Sequence, residues 1–332
     1  MQSMSRDWTG ESLLGFAYFL DIRVLLTAAE LDLFTPLTAR PQTVAELALV
    51  VGADERPLEM VLDALAGLEL LEKRENVYTC PPGIANYLSA TGEESVLPML
   101  RHHVGIWHRS SRLTEIVRGK HTDGRVGLSD ADSTKAFIEA MHVRAKVTAK
   151  ENVAVIGVGS AKHLIDVGGA SGSYTIEFLK YSPALRATLF DRPEVVEMAR
   201  RRLTDEGLID RVTIVGGDFT AGPLPTGHDL ALVSAIIHQN SPEENVALYR
   251  KVFDALVPGG RLVIRDHVMS PDKISPTSGA MFAINMLVST AGGGTYSLDE
   301  IRSTLEEAGF SSVRLVRGGA EMECIVEAFR PG

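Results

Sequence analysis

Residues 163–179 read HLIDVGGASGSYTIEFL, a stretch that passes from an apolar run through a glycine-rich turn into a helical pattern. The run HLIDV has the length of a buried strand, and apolar residues recur at helical spacing after the turn. Glycine allows a chain to turn tightly and lets a ligand approach the backbone closely. The stretch therefore predicts a strand, a ligand-binding turn and a helix, in that order.

Further apolar runs follow this one, and most of them precede a helical segment. The alternation predicts a doubly wound, Rossmann-like α/β domain with a parallel sheet, whose ligand crevice lies at the carboxyl ends of the strands. We assign residues 157–332 to this domain. The predicted strands after HLIDVG are ATLFD, VTIVGGD, LALVSAI and RLVIRDHV, with a late pair at SVRLVRGG and CIVEAFR.

The first half of the chain is mostly helical by its apolar spacing and has few strand signals. Thr43 and Glu46 have the spacing of a capping box, and Asp54 stands where the next apolar helix starts. The segment LLEKRENVYTCP that follows is typical of a hairpin. We therefore predict a winged-helix-like dimerisation domain at residues 1–100 and a helical linker at residues 101–156 that contributes to a substrate pocket.

Winged helices occur in DNA-binding proteins and also in dimerisation domains, and charge distinguishes the two uses. Residues 1–100 contain six Lys or Arg against fifteen Asp or Glu, and the whole chain has a net charge of -10. The predicted recognition helix displays Glu55, Glu59 and Asp63, which would repel phosphate. We predict dimerisation and no nucleic-acid partner, with a winged-helix regulator as the remote alternative.

Composition indicates a folded protein of a reducing compartment. Of the 332 residues, 45% are hydrophobic and 23% are charged, as in ordinary globular domains. Cys80 and Cys324 are too few for a disulfide framework and lack zinc-site spacing, so we predict a cytoplasmic protein. The N-terminus lacks the features of a signal peptide, and its first apolar run is interrupted by Asp21 and Arg23, so no membrane span is predicted.

The glycine spacing argues against a nicotinamide dinucleotide. That fingerprint requires G-x-G-x-x-G, but Ala170 and Ser173 stand where the second and third glycines after Gly168 should be. The turn also lacks the Lys or Arg that would neutralise a polyphosphate. The remaining pattern, acidic-x-Gly-x-small-x-Gly from Asp166 to Gly172, resembles the first motif of class I methyltransferases. That resemblance assigns cofactor contacts to Asp166, Gly168, Gly169 and Gly172.

Asp191 ends the second predicted strand, 19 residues after Gly172, where a carboxylate can accept hydrogen bonds from both ribose hydroxyls. Because Arg192 and Pro193 follow, a helix N-cap is the alternative interpretation of Asp191. Asp218 and Phe219 end the third strand. The resemblance gives this carboxylate to the adenine amino group and the ring to a stacking wall, with an ordinary turn aspartate as the alternative.

Two further features complete the pattern of the cofactor half. The run LVPGG at residues 256–260 matches the helix-to-strand turn common before the fifth strand of this superfamily. Ser234 on the fourth strand stands where bacterial relatives have a cofactor-contacting Ser and plant relatives have Lys. With Arg192 and Gly217, Ser234 joins the cofactor contacts that the resemblance implies.

With its helical first half, the chain is similar over nearly its whole length to the O-methyltransferases that act on caffeate, acetylserotonin and bacterial polyketides. The resemblance implies S-adenosylmethionine as cofactor, S-adenosylhomocysteine as product, a homodimer and a small acceptor. In the plant members a His-Asp-Trp triplet supplies the general base; here it reads His238-Gln239-Asn240. A second catalytic carboxylate is missing, and Thr295 or Tyr296 stands near its position.

Methyl transfer is an in-line displacement at carbon, so the enzyme must align the reactants and remove the acceptor's proton. Imidazole is the side-chain group best suited to proton uptake near neutrality, so His238 is the candidate base, and Asp266 can fix its orientation. We predict these two residues as catalytic and a phenol as the easiest acceptor. The alternatives are a structural His238, with His267 as a second candidate, and an enzyme that methylates N or C or has changed its chemistry.

The segment GAMFAINMLVSTAGGGTY, residues 279–296, supplies acceptor sites in relatives and places Phe282, Asn285 and Met286 at helical spacing with Met281. Thioethers and aromatic rings suit a flat apolar molecule, although ordinary core packing is the alternative. From the helical half, we expect four residues to close the pocket: Trp107, His108, Met141 and His142. His102 and His103 lack accompanying carboxylates or Cys, so no metal site is predicted.

Overall fold

The computed structural model describes residues 8–120 and 131–332, with side chains given from residue 137 onward in the second range. The described residues form two compact units, and the chain passes from one to the other between Val104 and Gly105. The three-part division at residues 100 and 156 stays a prediction.

The first unit is helical with one small sheet. Its elements are α1 (Gly10–Ala17), α2 (Leu20–Glu30), α3 (Phe34–Ala39), β1 (Gln42–Thr43), α4 (Val44–Val51), α5 (Glu55–Gly67), β2 (Glu72–Arg74), β3 (Val77–Thr79) and α6 (Pro82–Leu88). The antiparallel strands have the order β1-β3-β2. Leu33, Phe34, Leu62 and Tyr78 lie in the core of this unit.

Local sequence signals set the elements of the first unit. Thr43 and Glu46 form the predicted capping box at the start of α4. Asp54 precedes α5 as predicted, but its side chain makes no capping hydrogen bond. The hairpin β2-β3 follows, and Asp63 of α5 accepts hydrogen bonds from Lys73 at 2.6 Å and from the Tyr78 hydroxyl at 2.5 Å. The predicted order of two helices and a hairpin is therefore present.

Helices α1 and α2 carry the most apolar surface of the first unit. Together they form an apolar stretch, Gly10–Glu30, which is long enough and apolar enough to cross a membrane, and only 17% of it is buried. However, α1 ends at Ala17, and α2 begins at Leu20. The stretch therefore consists of two short helices with a break at Tyr18 and Phe19.

The second unit contains a seven-stranded sheet of order β11-β12-β8-β7-β4-β5-β6. Its strands are β4 (His163–Val167), β5 (Arg186–Asp191), β6 (Val212–Gly216), β7 (His228–Ser234), β8 (Leu256–Asp266), β11 (Ser311–Arg317) and β12 (Cys324–Phe329), and a short parallel pair is formed by β9 (Val268–Met269) and β10 (Tyr296–Ser297). Strands β4 to β8 are parallel, whereas β11 and β12 are antiparallel. All predicted strands are confirmed.

Helices cover both faces of this sheet. The helices of this unit are α8 (Leu113–Val117), α9 (Ala131–Ile156), α10 (Ser173–Tyr181), α11 (Pro193–Asp205), α12 (Pro242–Ala255), α13 (Thr277–Ser289) and α14 (Leu298–Glu307), and α7 (Leu97–Ser110) begins in the first unit and ends in the second. One core contains Val153, Phe178 and Ala199 from α9, α10 and α11, and the other contains Tyr249 and Leu305 from α12 and α14. The doubly wound Rossmann-like fold is therefore confirmed.

The LVPGG segment differs from its prediction as a turn before the fifth strand. Leu256 already pairs with His228, and the next pairing joins Arg261 to Leu230. Residues 257–260 therefore form a bulge within β8 and not a turn that precedes it. The reason is the burial of Leu256, which draws the start of the segment into the sheet.

Candidate active site

The carboxyl ends of the parallel strands bring the sequence motifs to one edge of the sheet, as the fold class predicts. The glycine-rich turn leaves β4 there. Gly168 has φ +72°, and its N–H donates to the Phe190 carbonyl at 2.8 Å. A Cβ at this position would lie 2.6 Å from the Ile236 side chain. Glycine is favoured at this position, because the backbone angle strains other residues and a Cβ would displace the Ile236 side chain.

Asp166 and Gly172 fix the helix that follows this turn. Gly172 is the N-cap of α10 with φ +78°. Asp166 is buried, and it accepts a 2.7 Å hydrogen bond from the Thr175 hydroxyl in the first turn of α10. Burial raises the pKa of Asp166 to about 6, despite the hydrogen bond from Thr175. Gly169 packs closely against β5, since its Cβ would lie 2.8 Å from Leu189.

Asp191 connects the end of β5 to the glycine-rich turn. One carboxylate oxygen accepts the Ala170 N–H at 2.7 Å, and the other accepts the Arg192 N–H at 2.7 Å. Burial raises the pKa of Asp191, while these backbone donors oppose the shift. The N-cap of α11 is Arg192, whose side chain pairs with Glu194. The assigned N-cap is thus one residue after Asp191, whose carboxylate bonds to the backbone N–H of that cap.

Beyond β6, Asp218 lies in a turn and accepts hydrogen bonds from the Thr220 N–H and hydroxyl, each at 2.7 Å. Gly217 and Asp218 border a cavity of about 380 Å³ that is also lined by Phe190 and Leu224. The Phe219 ring is half-buried against the sheet core. These positions put a carboxylate and apolar walls beside one cavity at the sheet edge.

Sequence reasoning missed Arg265, which engages the predicted cofactor residue Ser234. Arg265 is buried on β8, and its Nε donates to the Ser234 hydroxyl at 2.7 Å. Its guanidinium also donates to the Met322 carbonyl at 3.1 Å and lies 5.0 Å from the centroid of the Tyr174 ring. The available signal was an arginine inside the otherwise apolar run RLVIRD, because a buried charge needs partners.

The predicted catalytic residues lie together beside this site. His238 follows β7 in a short helical turn, and its Nδ1 lies 2.8 Å from Asp266 Oδ2 and 3.0 Å from Oδ1. Both side chains are buried. Burial alone would raise the pKa of Asp266, but His238 and the His267 backbone N–H hold it below its ordinary value. His238 thus bonds to a carboxylate through its ring.

The segment around Thr295 and Tyr296, where relatives have their second carboxylate, makes hydrogen bonds to the backbone of the His238 turn. The Gly294 N–H donates to the His238 carbonyl at 2.9 Å. Tyr296, one of the two residues near the missing carboxylate, donates its hydroxyl to the Asn240 carbonyl. Thr295 accepts from the Lys273 ammonium through its own carbonyl at 2.9 Å. Neither residue supplies an acid.

Helix α13 brings aromatic and polar side chains to the catalytic pair. The Phe282 ring meets the His238 ring edge-on with centroids 4.9 Å apart, and it lies at the same distance from the His267 ring. Asn285 Oδ1 accepts from the Ser289 hydroxyl at 3.2 Å. Met286 is buried, as ordinary core packing requires, whereas 64% of Met281 is exposed.

The residues expected to close the pocket from the helical segments lie on α7 and α9. Trp107 and Met141 are half-buried, and His108 is exposed. The His142 Nδ1 lies 2.8 Å from the Ser173 hydroxyl, beside the glycine-rich turn. Burial and the nearby Arg202 and Lys146 lower the pKa of His142 to about 4, so the ring is neutral there.

Comparison with known proteins agrees with this geometry. Residues 121–311 match the O-methyltransferase domain family, and residues 14–87 match the O-methyltransferase dimerisation domain. The 3-hydroxy-5-methyl-1-naphthoate 3-O-methyltransferase of Streptomyces sahachiroi is 31% identical over 89% of this chain and 87% of its own length. The tetracenomycin polyketide synthesis 8-O-methyl transferase of Streptomyces glaucescens is 30% identical over 89% of each chain.

A solved structure supports the same assignment. The mitomycin 7-O-methyltransferase MmcR superposes with a TM-score of 0.82 at 28% identity over 96% of both chains. Fold, motifs and matched domains thus agree over nearly the full length. The chain therefore belongs to the family of S-adenosylmethionine-dependent O-methyltransferases that carry an N-terminal dimerisation domain.

Proposed function

We propose that this enzyme methylates a phenolic hydroxyl of a small aromatic or polyketide-like metabolite, with His238 as general base. The observation that carries the proposal is the buried His238–Asp266 pair beneath the Phe282 ring. A flat aromatic acceptor can stack in such a place, and a phenol is acidic enough for an imidazole to deprotonate during transfer. The names of relatives support this class, since they act on a naphthoate and on polyketide products.

Residues at the sheet edge fit S-adenosylmethionine. Carboxylates at Asp191 and Asp218 suit hydroxyl and amine donors of a nucleoside, and the cavity beside Gly217 is lined by apolar side chains. Burial raises the pKa of Asp191, which a hydrogen-bonding ligand would offset. When bound, this cofactor supplies an electrophilic methyl group on sulfur and leaves as S-adenosylhomocysteine.

The chain's own residues supply orientation and proton uptake. Asp266 faces Nδ1 of His238 and holds the Nδ1–H tautomer, so Nε2 is left with a lone pair for the acceptor proton. Phe282 fixes the ring through its edge contact. Burial of the pair excludes water, which strengthens the attraction between the forming imidazolium and Asp266.

We also infer a cytoplasmic homodimer of secondary metabolism that needs no metal and binds neither nucleic acid nor membrane. The dimer is supported by the matched dimerisation domain and by exposed apolar side chains on α1 and α2, including Leu14, Phe16 and Ile22. An apolar surface of this kind is stabilised by burial against a partner. Within the described residues, no three His, Cys, Asp or Glu side chains are placed to hold a metal.

The experiment supplies the enzyme with S-adenosylmethionine and either 2-naphthol or 2-naphthylamine, and follows products by mass spectrometry. We expect the methyl ether from the naphthol and a loss of roughly 100-fold or more in rate for His238→Gln, with unchanged affinity for S-adenosylhomocysteine. His163→Gln, an exposed histidine, is the matched control. Methylation of the amine alone, or an unaffected His238→Gln enzyme, would contradict the proposal.

A further inference from the structure

One face of α13 leads away from the catalytic pair. Phe282, Asn285 and Ser289 are spaced by three and four residues, so they lie on the same side of the helix. Phe282 contacts the His238 ring at one end of this row. From Phe282 to Ser289 the helix rises by about 10 Å, at ~1.5 Å per residue. The row therefore has the length of a two-ring aromatic molecule.

Arg109 lies at the far end of this row. It extends from α7, and its Nε donates to the Ser289 hydroxyl at 2.9 Å. Ser289 in turn donates to Asn285 Oδ1, which turns the amide NH2 of Asn285 away from Ser289. The three residues thus form a chain of hydrogen bonds that fixes the guanidinium at one end and an amide donor near the middle.

The charge of Arg109 is not compensated within the described part of the chain. Arg109 is half-buried, and none of the ion pairs among the described residues includes it. Burial lowers the pKa of its guanidinium, which shows the cost of holding this cation away from water. A partly desolvated cation of this kind is stabilised when an anion binds, and the guanidinium fork matches a carboxylate.

We propose that Arg109 binds a carboxylate of the methyl acceptor, so the acceptor is an aromatic hydroxy acid. Its hydroxyl lies at His238, its ring packs on Phe282, and its carboxylate lies between Arg109 and the Asn285 amide. This inference rests on the proposed O-methylation of a phenol. It also offers a local cation to an anionic acceptor in a protein with a net charge of -10.

The test compares 6-hydroxy-2-naphthoate with 2-naphthol, which differ only in the carboxylate. Calorimetry measures the binding of each to the enzyme loaded with S-adenosylhomocysteine, so this readout does not require turnover. The variants are Arg109→Gln and Arg109→Lys, and Arg112→Gln on the exposed surface nearby is the matched control. Initial rates with S-adenosylmethionine give kcat and KM for both acceptors.

We expect the wild type to bind the hydroxynaphthoate ~10- to 100-fold more tightly than the naphthol, as charge-assisted hydrogen bonds predict. Arg109→Gln should abolish this preference mainly through KM, because Arg109 contacts the carboxylate and no reacting atom. Arg109→Lys should restore part of the preference.

The inference is overturned if the wild type shows no preference, if neither probe binds, or if Arg109→Gln weakens both acceptors equally. A carboxylate preference that depends on Arg109 without any methyl ether formed would support the acid-binding site and refute O-methylation. The two proposals therefore fail separately.

Discussion

Nδ1 of His238 lies 2.8 Å from Oδ2 of Asp266, and the His267 backbone N–H donates to the other oxygen of the same carboxylate at 2.8 Å. This relationship follows from adjacent parallel strands, because His238 comes after β7 and Asp266 ends β8. The carboxylate therefore cannot turn away from the imidazole without the loss of a backbone hydrogen bond. An imidazole held in this way has a fixed tautomer and a fixed direction.

Replacement of Asp266 should slow catalysis without loss of cofactor binding. Asp266→Asn removes the charge that stabilises the imidazolium, so kcat should fall by roughly 100-fold. The loss should be smaller for an acidic nitrophenol than for a simple phenol, because the acidic phenol needs less help from a base. Initial rates with both phenols measure this difference, with exposed Asp254→Asn as control. Equal losses for the two phenols would rule out assisted proton removal.

Asp166 should lower the stability of the folded protein and strengthen cofactor binding. Its pKa is raised from 3.8 to about 6 by burial, so the ionised form is disfavoured in the folded state. The free-energy cost of the buried, ionised Asp166 is fully present above pH 6. It disappears below pH 3.8, where the carboxyl is protonated in both the folded and the unfolded state. Asp166→Asn should therefore raise the free energy of unfolding at pH 7.5 by roughly 2 kcal/mol, and the gain should shrink towards pH 4.

Chemical denaturation at pH 7.5, 5.5 and about 4 tests the sign of the Asp166 effect. The same variant should bind S-adenosylhomocysteine more weakly, because a neutral amide oxygen accepts a weaker hydrogen bond than the carboxylate from Thr175 in the first turn of α10. Thr175→Val removes the same hydrogen bond but keeps the buried carboxylate, so it should destabilise the protein at pH 7.5. A less stable Asp166→Asn variant would contradict the argument.

Asp191 should contribute strongly to the affinity for the cofactor. Asp191→Ala loses the proposed ribose contacts and also frees the Ala170 N–H of the glycine-rich turn. We expect the affinity for S-adenosylhomocysteine to fall ~10- to 100-fold by calorimetry, in line with one or two lost charge-assisted hydrogen bonds. The exposed Glu197→Gln on α11 is the matched control. Unchanged binding by Asp191→Ala would remove this residue from the cofactor site.

Gly293 should tolerate no side chain, whereas its neighbour should. A Cβ at Gly293 would lie 2.5 Å from the His238 carbonyl oxygen and 2.5 Å from the Thr290 hydroxyl, so the catalytic turn must shift. Gly293→Ala should lower kcat at least ~10-fold and cost about 1–3 kcal/mol of stability, as overpacking does. Gly294→Ala meets no atom within 4 Å and should match the wild type. Measurements of the rate and of Tm check both variants. A fully active Gly293→Ala enzyme would show that catalysis by His238 does not depend on the close packing of Gly293 against its backbone.

The sequence by itself determined the doubly wound fold, the capping box at Thr43 and the edge where the site lies. Those features depend on short-range patterns: apolar runs define strands, and parallel strands in one sheet end at one edge. His238 and Asp266 were paired through the family resemblance, and the structure places them after β7 and at the end of the neighbouring β8. Residues with such fixed positions relative to a strand can be placed before the structure is known.

Only the tertiary structure decided which remote side chains meet. It joined Arg265 to Ser234, Arg109 to Ser289 and His142 to Ser173. It also buried Met286 and drew the LVPGG run into β8 as a bulge. The contacts of Arg109 and His142 depend on how helices far apart in the chain pack, whereas that of Arg265 depends on the register of β8 against β7. Periodicity fixes which face of a helix a residue occupies, but packing alone fixes what that face touches.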